Sequence, residues 1–213
     1  MCPSPRLILI TDPRYSLAWM TEIVCAVARA LEPSALAVQL RDKANAEPDV
    51  IEAAKVLRAV TREERAMFLI NGRIDLARAV ESDGVHVPSG LSIADAREAL
   101  GRGAFVTAAA HDDDDVARAC EQGADGVLVS PIFATPGKGA PRGTSALTRA
   151  AQIASCSTTR VHVYALGGVD ARRVASCAEA GASGVAVIRT LFDAESAQVA
   201  ARLARALTAP FAL

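Results

Sequence analysis

The chain has 213 residues, of which 51% are hydrophobic and 22% are charged. These values are typical of a folded globular protein and exclude a disordered chain. The 23 basic and 24 acidic residues nearly cancel, and only 4% of the residues are aromatic. We expect neither a nucleic-acid nor a membrane partner, because no basic stripe with interleaved aromatic residues is present. Small anionic metabolites remain candidate ligands, since they require local rather than net charge.

Cysteine usage and apolar run lengths indicate the compartment. The five cysteines are odd in number and scattered, without a C-x-x-C pair: Cys2, Cys25, Cys120, Cys156 and Cys177. This pattern argues against a disulfide framework and fits a reducing environment. The apolar stretch in MCPSPRLILITD is too short for a signal peptide, and no run approaches the roughly 20 apolar residues that span a bilayer. We therefore expect a cytoplasmic protein.

A unit recurs along the chain, consisting of a short apolar run, a polar or glycine-rich turn and a longer stretch with helical periodicity. In order, the apolar runs are 7–11, 35–41, 67–71, 84–87, 105–111, 126–131, 161–168 and 184–188. Most are continuously hydrophobic, as parallel strands covered on both faces are. Helix candidates lie between them, for example at 20–32, 47–64 and 170–182.

About eight such strand–helix units predict a single-domain α/β fold, a (β/α)8 TIM barrel spanning residues 1–213. A doubly wound parallel sheet is the alternative. The repeated segments SDGVHV, GADGVLV and GASGVAV favour the barrel, because each ends a helix and leads directly into a short strand. In a barrel, the active site lies at the carboxyl ends of the strands.

The second apolar run ends in VQLRDK. A period of two places Gln39, Arg41 and Lys43 on one side of this strand, towards the barrel mouth. Two cations and an amide there suit a phosphate, a pyrophosphate or a carboxylate. The alternative is a solvated rim in which the cations pair with Asp42.

The turns after strands seven and eight predict a phosphate site. In ALGGVDARR a glycine pair follows the strand, with Asp170 as the expected helix N-cap, and VAVIRTLFD leads from the eighth strand directly into a helix. Backbone N–H groups at two helix entrances can hold a phosphate, and glycines allow close approach. The predicted phosphate ligands are Gly167, Gly168, Val187, Ile188 and Arg189.

The segment SPIFATPGKGAPRG, residues 130–143, is rich in glycine and proline. We interpret it as a mobile loop that carries Thr135, Lys138 and Arg142 over the mouth, in the manner of an active-site lid. An exposed connection without a function is the alternative.

Of the three histidines, His111 is the candidate for chemistry. His162 lies inside a strand and His86 in a packed segment, so both are expected to be structural. His111 ends the fifth strand, where it can transfer a proton near neutral pH. Four aspartates follow it, but residues of a first helical turn fan around the axis and do not converge on one ion. They predict a helix start rather than a metal site.

Taken in order, the motifs are LITD, VQLRDK, LINGRIDLA, SDGVHVPSG, GADGVLVSPIFATPGK, ALGG and GVAVI. They span nearly the whole chain and resemble the thiamine phosphate synthase/TenI superfamily of (β/α)8 barrels. The resemblance implies a thiazole phosphate as the small-molecule ligand. It also implies substrate-binding roles for the retained residues Gln39, Arg41, Lys43, Asn71, Thr135 and Lys138.

Synthases of this superfamily join a pyrimidine pyrophosphate to the thiazole phosphate with magnesium, held by two aspartates. At the corresponding places this chain has Gly72 and Leu91. A synthase serine also becomes Ala109, and a lid threonine becomes Gly137. Because nothing obvious holds the metal, we expect no cofactor and no metal ligands, with Mg²⁺ needed only if the synthase alternative holds.

The turn Pro88-Ser89-Gly90 and the strand-end His111 resemble the TenI branch instead. They predict a thiazole tautomerase, an isomerase that aromatises a carboxylated thiazole phosphate in thiamine biosynthesis by metal-free proton transfer at His111. A divergent thiamine phosphate synthase, which is a transferase, is one alternative, and the retained QLRDK resembles that branch. A non-catalytic protein that binds thiazole or thiamine phosphate is the other. A homodimer is left open.

Overall fold

Eight parallel strands close into a barrel, with β1 paired to both β2 and β8. The computed structural model describes residues 4–212. The predicted (β/α)8 barrel is confirmed, and the doubly wound alternative is wrong because the sheet has no open edge. Cys2 and the outermost residues of the predicted domain 1–213 lie outside the described residues, so that extent stays a prediction.

The elements alternate from end to end. The strands are β1 Leu7–Ile10, β2 Leu36–Leu40, β3 Met67–Asn71, β4 Gly84–Val87, β5 Phe105–Ala110, β6 Gly126–Val129, β7 His162–Leu166 and β8 Gly184–Val187. The helices are α1 Leu17–Ala30, α2 Glu47–Glu63, α3 Ile74–Ala79, α4 Ile93–Leu100, α5 Asp113–Glu121, α6 Ser145–Ser155, α7 Val174–Glu179, α8 Arg189–Phe192 and α9 Ala197–Thr208.

Local chemistry explains where the predicted bounds differ from the observed ones. Helix α1 begins earlier than predicted because the Ser16 hydroxyl accepts a hydrogen bond from the Trp19 N–H, as an N-cap does. The predicted N-cap at Asp170 is wrong. Its carboxylate accepts the N–H groups of Arg172 and Arg173 and closes a turn, and α7 starts only after that turn.

Alternate residues of each strand face either the barrel interior or the surrounding helices. The interior cluster includes Ile8, Leu69, Leu128 and Tyr164, all at most 1% exposed. Burying an aliphatic side chain of this size contributes roughly 1.5–3 kcal/mol. The larger cluster lies between the strands and the helices.

The structure also bears on the state of the cysteines and on membrane-spanning segments. Within the described part of the chain the cysteines are free thiols: Cys25, Cys120, Cys156 and Cys177. None of the helices described between residues 4 and 212 is long and apolar enough to cross a membrane.

Strand β4 begins with a glycine because β5 passes very close to it. A Cβ placed on Gly84 would lie 1.9 Å from the backbone oxygen of Phe105. Gly84→Ala therefore forces the two strands apart, and we expect the free energy of unfolding to fall by about 3 kcal/mol.

Denaturant unfolding measures this effect, with Gly103→Ala as the matched control. A Cβ on Gly103 meets nothing within 4 Å, so the control should stay within about 0.5 kcal/mol of the wild type. Equal stability of the two variants would contradict this account of the β4–β5 contact.

Candidate active site

Gln39 and Asn71 meet at the carboxyl ends of β2 and β3. Gln39 is 1% exposed, and its Nε2 donates to Asn71 Oδ1 at 3.2 Å. Its Oε1 is buried and has no hydrogen-bond partner among residues 4–212. A buried acceptor without a partner is costly, so this oxygen is available to a donor group of a ligand in the mouth.

Arg41 lies just beyond β2 and is held by Thr11, the residue that follows β1. Its N–H donates to Thr11 Oγ1 at 2.9 Å, and that hydroxyl donates to the Arg41 carbonyl at 3.3 Å. Lys43 is exposed on the following loop, because strand alternation ends at Leu40. Asp42 accepts hydrogen bonds from Asn45, and no salt bridge of Asp42 with either cation is found among residues 4–212.

His86 is a buried neutral histidine inside the mouth. It is 6% exposed, and its Nδ1 lies 3.0 Å from Thr107 Oγ1. Burial, together with the positive charges of Arg41 and His111, lowers its pKa from 6.5 to about 4. The predicted packed and hydrogen-bonded role of His86 is confirmed.

His111 follows β5 and is exposed. Its Nδ1 lies 3.2 Å from the Ser130 carbonyl oxygen, at the end of the neighbouring strand β6. Its backbone N–H donates to Asp115 Oδ2 at 2.8 Å. Asp112 caps α5 by accepting the Asp115 N–H at 2.7 Å, which confirms the acidic run as a helix start. A catalytic role of His111 stays a prediction.

The turns after β7 and β8 are adjacent, as the predicted phosphate site requires. The Thr190 hydroxyl of α8 donates to the Val169 carbonyl after β7 at 2.9 Å. The first N–H groups of a helix have no partner within it. The remaining predicted ligands lie at the junction of β8 and α8: Val187, Ile188 and Arg189. Phosphate binding there stays a prediction.

The glycine pair also serves a purpose that the sequence did not show. Gly167 and Gly168 have φ angles of 99° and 64°, which favour glycine. A Cβ on Gly168 would lie 2.8 Å from the Ala134 oxygen, and one on Gly167 would lie 3.0 Å from Pro131. The pair therefore lets the loop after β6 pack directly on the turn after β7.

The first leg of that loop continues the pairing of β6 with β7. The Phe133 N–H donates to the Gly167 carbonyl at 3.0 Å. Arg173 donates from Nη1 to the Gly168 carbonyl at 2.7 Å, and its guanidinium carbon lies 5.1 Å from the centre of the Phe133 ring. Sequence reasoning missed Arg173, whose only signal was a second basic residue in DARR.

The tip of the loop carries the two remaining predicted substrate-binding residues. The Thr135 hydroxyl donates to the Phe133 carbonyl at 3.0 Å. Lys138 is exposed, and its N–H donates to the Thr135 carbonyl at 3.1 Å, which closes a turn. The Lys138 ammonium is thus carried on a short turn beyond the packed base of the loop.

The two places where the superfamily carries metal-binding aspartates are adjacent and apolar. A Cβ on Gly72 would lie 3.6 Å from Leu91 Cδ1 and 3.3 Å from Pro88 Cγ. No group of three or more potential metal-ligating side chains is found in the described range 4–212. Magnesium prefers carboxylate oxygens, so these residues do not fit the metal that the resemblance implies.

The protein is a closed (β/α)8 barrel with polar and cationic residues at the carboxyl ends of its strands. It therefore belongs to the class of barrels that bind small ligands at that end. The family model described as thiamine monophosphate synthase matches residues 7–191. The chain therefore belongs to the thiamine monophosphate synthase (TMP-TENI) family.

Individual relatives agree with the family. The chain is 36% identical over 193 residues to a thiamine-phosphate synthase of Nostoc sp., covering 89% of this chain and 52%, about half, of that relative. It is 34% identical over 206 residues to that of Chloroflexus aurantiacus, covering 95% and 92%. The solved thiamine phosphate pyrophosphorylase of Pyrococcus furiosus has a TM-score of 0.81 and 25% identity, with 97% of both chains covered.

These relatives correct the predicted branch. The prediction of a TenI-like tautomerase, an isomerase, is wrong, since the curated relatives are named thiamine-phosphate synthases and a synthase is a transferase. The prediction depended on the loss of two carboxylates and on a three-residue turn. Such positions at a barrel mouth are on loops, which vary independently of the fold that carries them.

Burial of His86 makes stability depend on pH. Its pKa is about 4 when folded and about 6.5 when unfolded. Below pH 6.5 the unfolded chain takes up a proton that the folded chain does not, so stability falls as the pH drops towards 4. From about pH 7 to about pH 5 we expect a loss of about 2 kcal/mol.

The replacement His86→Gln should remove this part of the pH dependence, because glutamine does not titrate. Urea unfolding of both proteins at the two pH values measures it, and each protein is compared only with itself. An identical loss in the variant would show that other groups cause the acid sensitivity.

Proposed function

We propose that the protein is a thiamine-phosphate synthase, a transferase that joins a hydroxymethylpyrimidine to a thiazole phosphate and releases pyrophosphate. The observation that carries this proposal is the mouth built from Gln39, Arg41 and Asn71. Gln39 offers an unpaired acceptor there, and the hydrogen bonds with Thr11 fix the main chain of Arg41, two residues further along. Whole-length relatives with the same name support the proposal.

In this reaction a bond forms between the thiazole nitrogen and the pyrimidine methylene carbon. The bond from that carbon to the pyrophosphate oxygen breaks, and its electron pair leaves with the pyrophosphate. The protein must therefore stabilise negative charge on the leaving group. Arg41, Lys43 and Lys138 are the cations that we assign to it, and His111 donates a hydrogen bond or proton to the same group.

The thiazole phosphate is assigned to the opposite side of the mouth. Its phosphate binds the adjacent turns after β7 and β8, through the N–H groups of Gly168, Ile188 and Arg189. Thr135 reaches this side from the loop, since its Oγ1 lies 3.3 Å from the Cβ position of Gly167. This arrangement holds the two substrates face to face across the mouth, which favours reaction by orientation.

A second candidate is a non-catalytic protein that binds thiazole or thiamine phosphate. The apolar contact of Gly72 with Leu91 favours it, because the charge of a departing pyrophosphate then lacks carboxylate-held metal. This candidate predicts ligand binding without turnover.

One assay separates the two candidates. The purified protein is incubated with the pyrimidine pyrophosphate and the thiazole phosphate, and pyrophosphate and thiamine phosphate are quantified together. The transferase predicts both products in equal amounts. Binding of the thiazole phosphate with no pyrophosphate release would overturn the transferase in favour of the binding protein.

Lys138→Gln tests the charge assignment. Because a cation that holds the pyrophosphate group binds it in the substrate as well as in the leaving group, we expect kcat/KM to fall roughly 10- to 100-fold, mainly through a higher KM, about 1.4–2.7 kcal/mol. Lys55→Gln is the matched control, since Lys55 is an exposed lysine on α2. Equal rates for both variants would remove Lys138 from the site.

Magnesium dependence forms a separate prediction. Since Gly72 and Leu91 provide no carboxylate, we expect a chelator to change the wild-type rate by less than about twofold. Gly72→Asp combined with Leu91→Asp should make the rate depend on Mg²⁺. A wild-type rate abolished by the chelator would show that other groups hold the metal.

Location and assembly complete the proposal. We place the protein in the cytoplasm, where the four described free thiols stay reduced. A homodimer is left to a measurement of molar mass in solution.

A further inference from the structure

The loop after β6 is closed at its base and fastened at its second leg. The Arg142 N–H donates to the Pro131 carbonyl at 2.8 Å, and the Gly143 N–H donates to the Ile132 carbonyl at 3.0 Å. These two hydrogen bonds join the legs of the loop. The tip between them, residues 134–140, is mostly exposed and carries Lys138.

An ion pair ties the second leg to the start of α5. Arg142 Nη2 lies 3.0 Å from Asp113 Oδ1, and the Arg142 side chain is only 15% exposed. Its Nη1 is buried and has no hydrogen-bond partner within the described chain. The guanidinium therefore depends on one carboxylate, and removing that partner leaves a buried charge uncompensated.

Asp113 is well placed to hold this charge. It is the first residue of α5, where the helix dipole favours a carboxylate. Its second oxygen accepts from Arg149 Nε at 2.7 Å, so both oxygens are engaged and the carboxylate orientation is fixed. Helix α5 follows directly on the segment that carries His111.

The neighbouring Asp114 differs in this respect. It is exposed, and no hydrogen bond or salt bridge of its side chain is found in the part of the chain that the structure describes. The acidic run therefore contains one aspartate that touches the loop and one, a residue later, that does not.

We propose that Asp113 is a positioning residue: through Arg142 it fixes the second leg of the loop and thereby the location of Lys138 over the mouth. This rests on the proposed function, because Lys138 is assigned to the leaving pyrophosphate there. Asp113 and His111 both lie at the junction of β5 and α5. The ion pair of Asp113 therefore also fixes the position of the loop relative to His111.

Asp113→Asn tests the proposal, because asparagine keeps the shape and removes the charge. We expect KM for the pyrimidine pyrophosphate to rise about five- to tenfold while kcat changes less than about twofold. Asp114→Asn is the control. It removes the same charge one residue away, so it should leave KM within about twofold of the wild type.

Two further variants separate positioning from general damage. Arg142→Gln should raise KM as Asp113→Asn does. Arg142→Lys keeps the charge and should raise KM less. The double variant Asp113→Asn/Arg142→Gln should be no worse than the more impaired single variant, because both remove the same pair. The proposal would be overturned if the increase of KM in the double variant equalled the product of the increases in the two single variants.

Hydrogen exchange of the peptide 131–143 provides a readout that does not need turnover. Asp113→Asn should speed exchange of the Arg142 and Gly143 N–H groups, and Asp114→Asn should not. Faster exchange with an unchanged KM overturns the positioning role, and unchanged exchange overturns the ion-pair link itself. If the wild type shows no turnover, the proposed function fails, and the affinity of each variant for inorganic pyrophosphate then decides the positioning role in place of KM.

Discussion

Closure of the sheet is the constraint on which the rest of this protein depends. The pairing of β1 with β8 leaves no open edge and brings all eight strand ends to one rim. Closure also brings large side chains together in the interior. Two strands therefore begin with an interior-facing glycine, since Gly126 and Gly184 lie on either side of the Tyr164 ring, and a third begins with Gly84 because the β5 backbone at Phe105 passes close to it. The glycines of the repeated segments SDGVHV, GADGVLV and GASGVAV thus allow close packing inside the closed barrel.

At the rim, contacts between neighbouring strand ends organise the candidate site. Thr11, which follows β1, holds Arg41, and the turn after β7 holds the loop after β6 through its glycines. The loop is in turn fastened by Arg173 on one leg and Asp113 on the other. The segments that carry Arg41 and Lys138 are therefore held by neighbours from other strands and helices.

The wrong prediction of a TenI-like branch depended on only a few residues. The missing carboxylates at Gly72 and Leu91 are real, and the structure puts an apolar contact in their place. These two substitutions concern only the ability of the mouth to bind a metal. Similarity over nearly the whole chain describes ancestry, and it groups the protein with thiamine-phosphate synthases. A substitution at a metal-binding position does not determine ancestry, which is why Gly72 and Leu91 did not identify the family branch.

By itself the sequence determined the strand–helix alternation, the barrel, the start of α5 at the acidic run and the buried role of His86. Each of these follows from local periodicity, capping or burial, which a linear pattern records. Only the tertiary structure decided which charges meet. The pairing of Asp113 with Arg142 joins residues 29 positions apart, and Lys43 lies on an exposed loop rather than on the strand because β2 ends before it. Such contacts depend on how loops from different strands pack at the rim, and no local pattern encodes that.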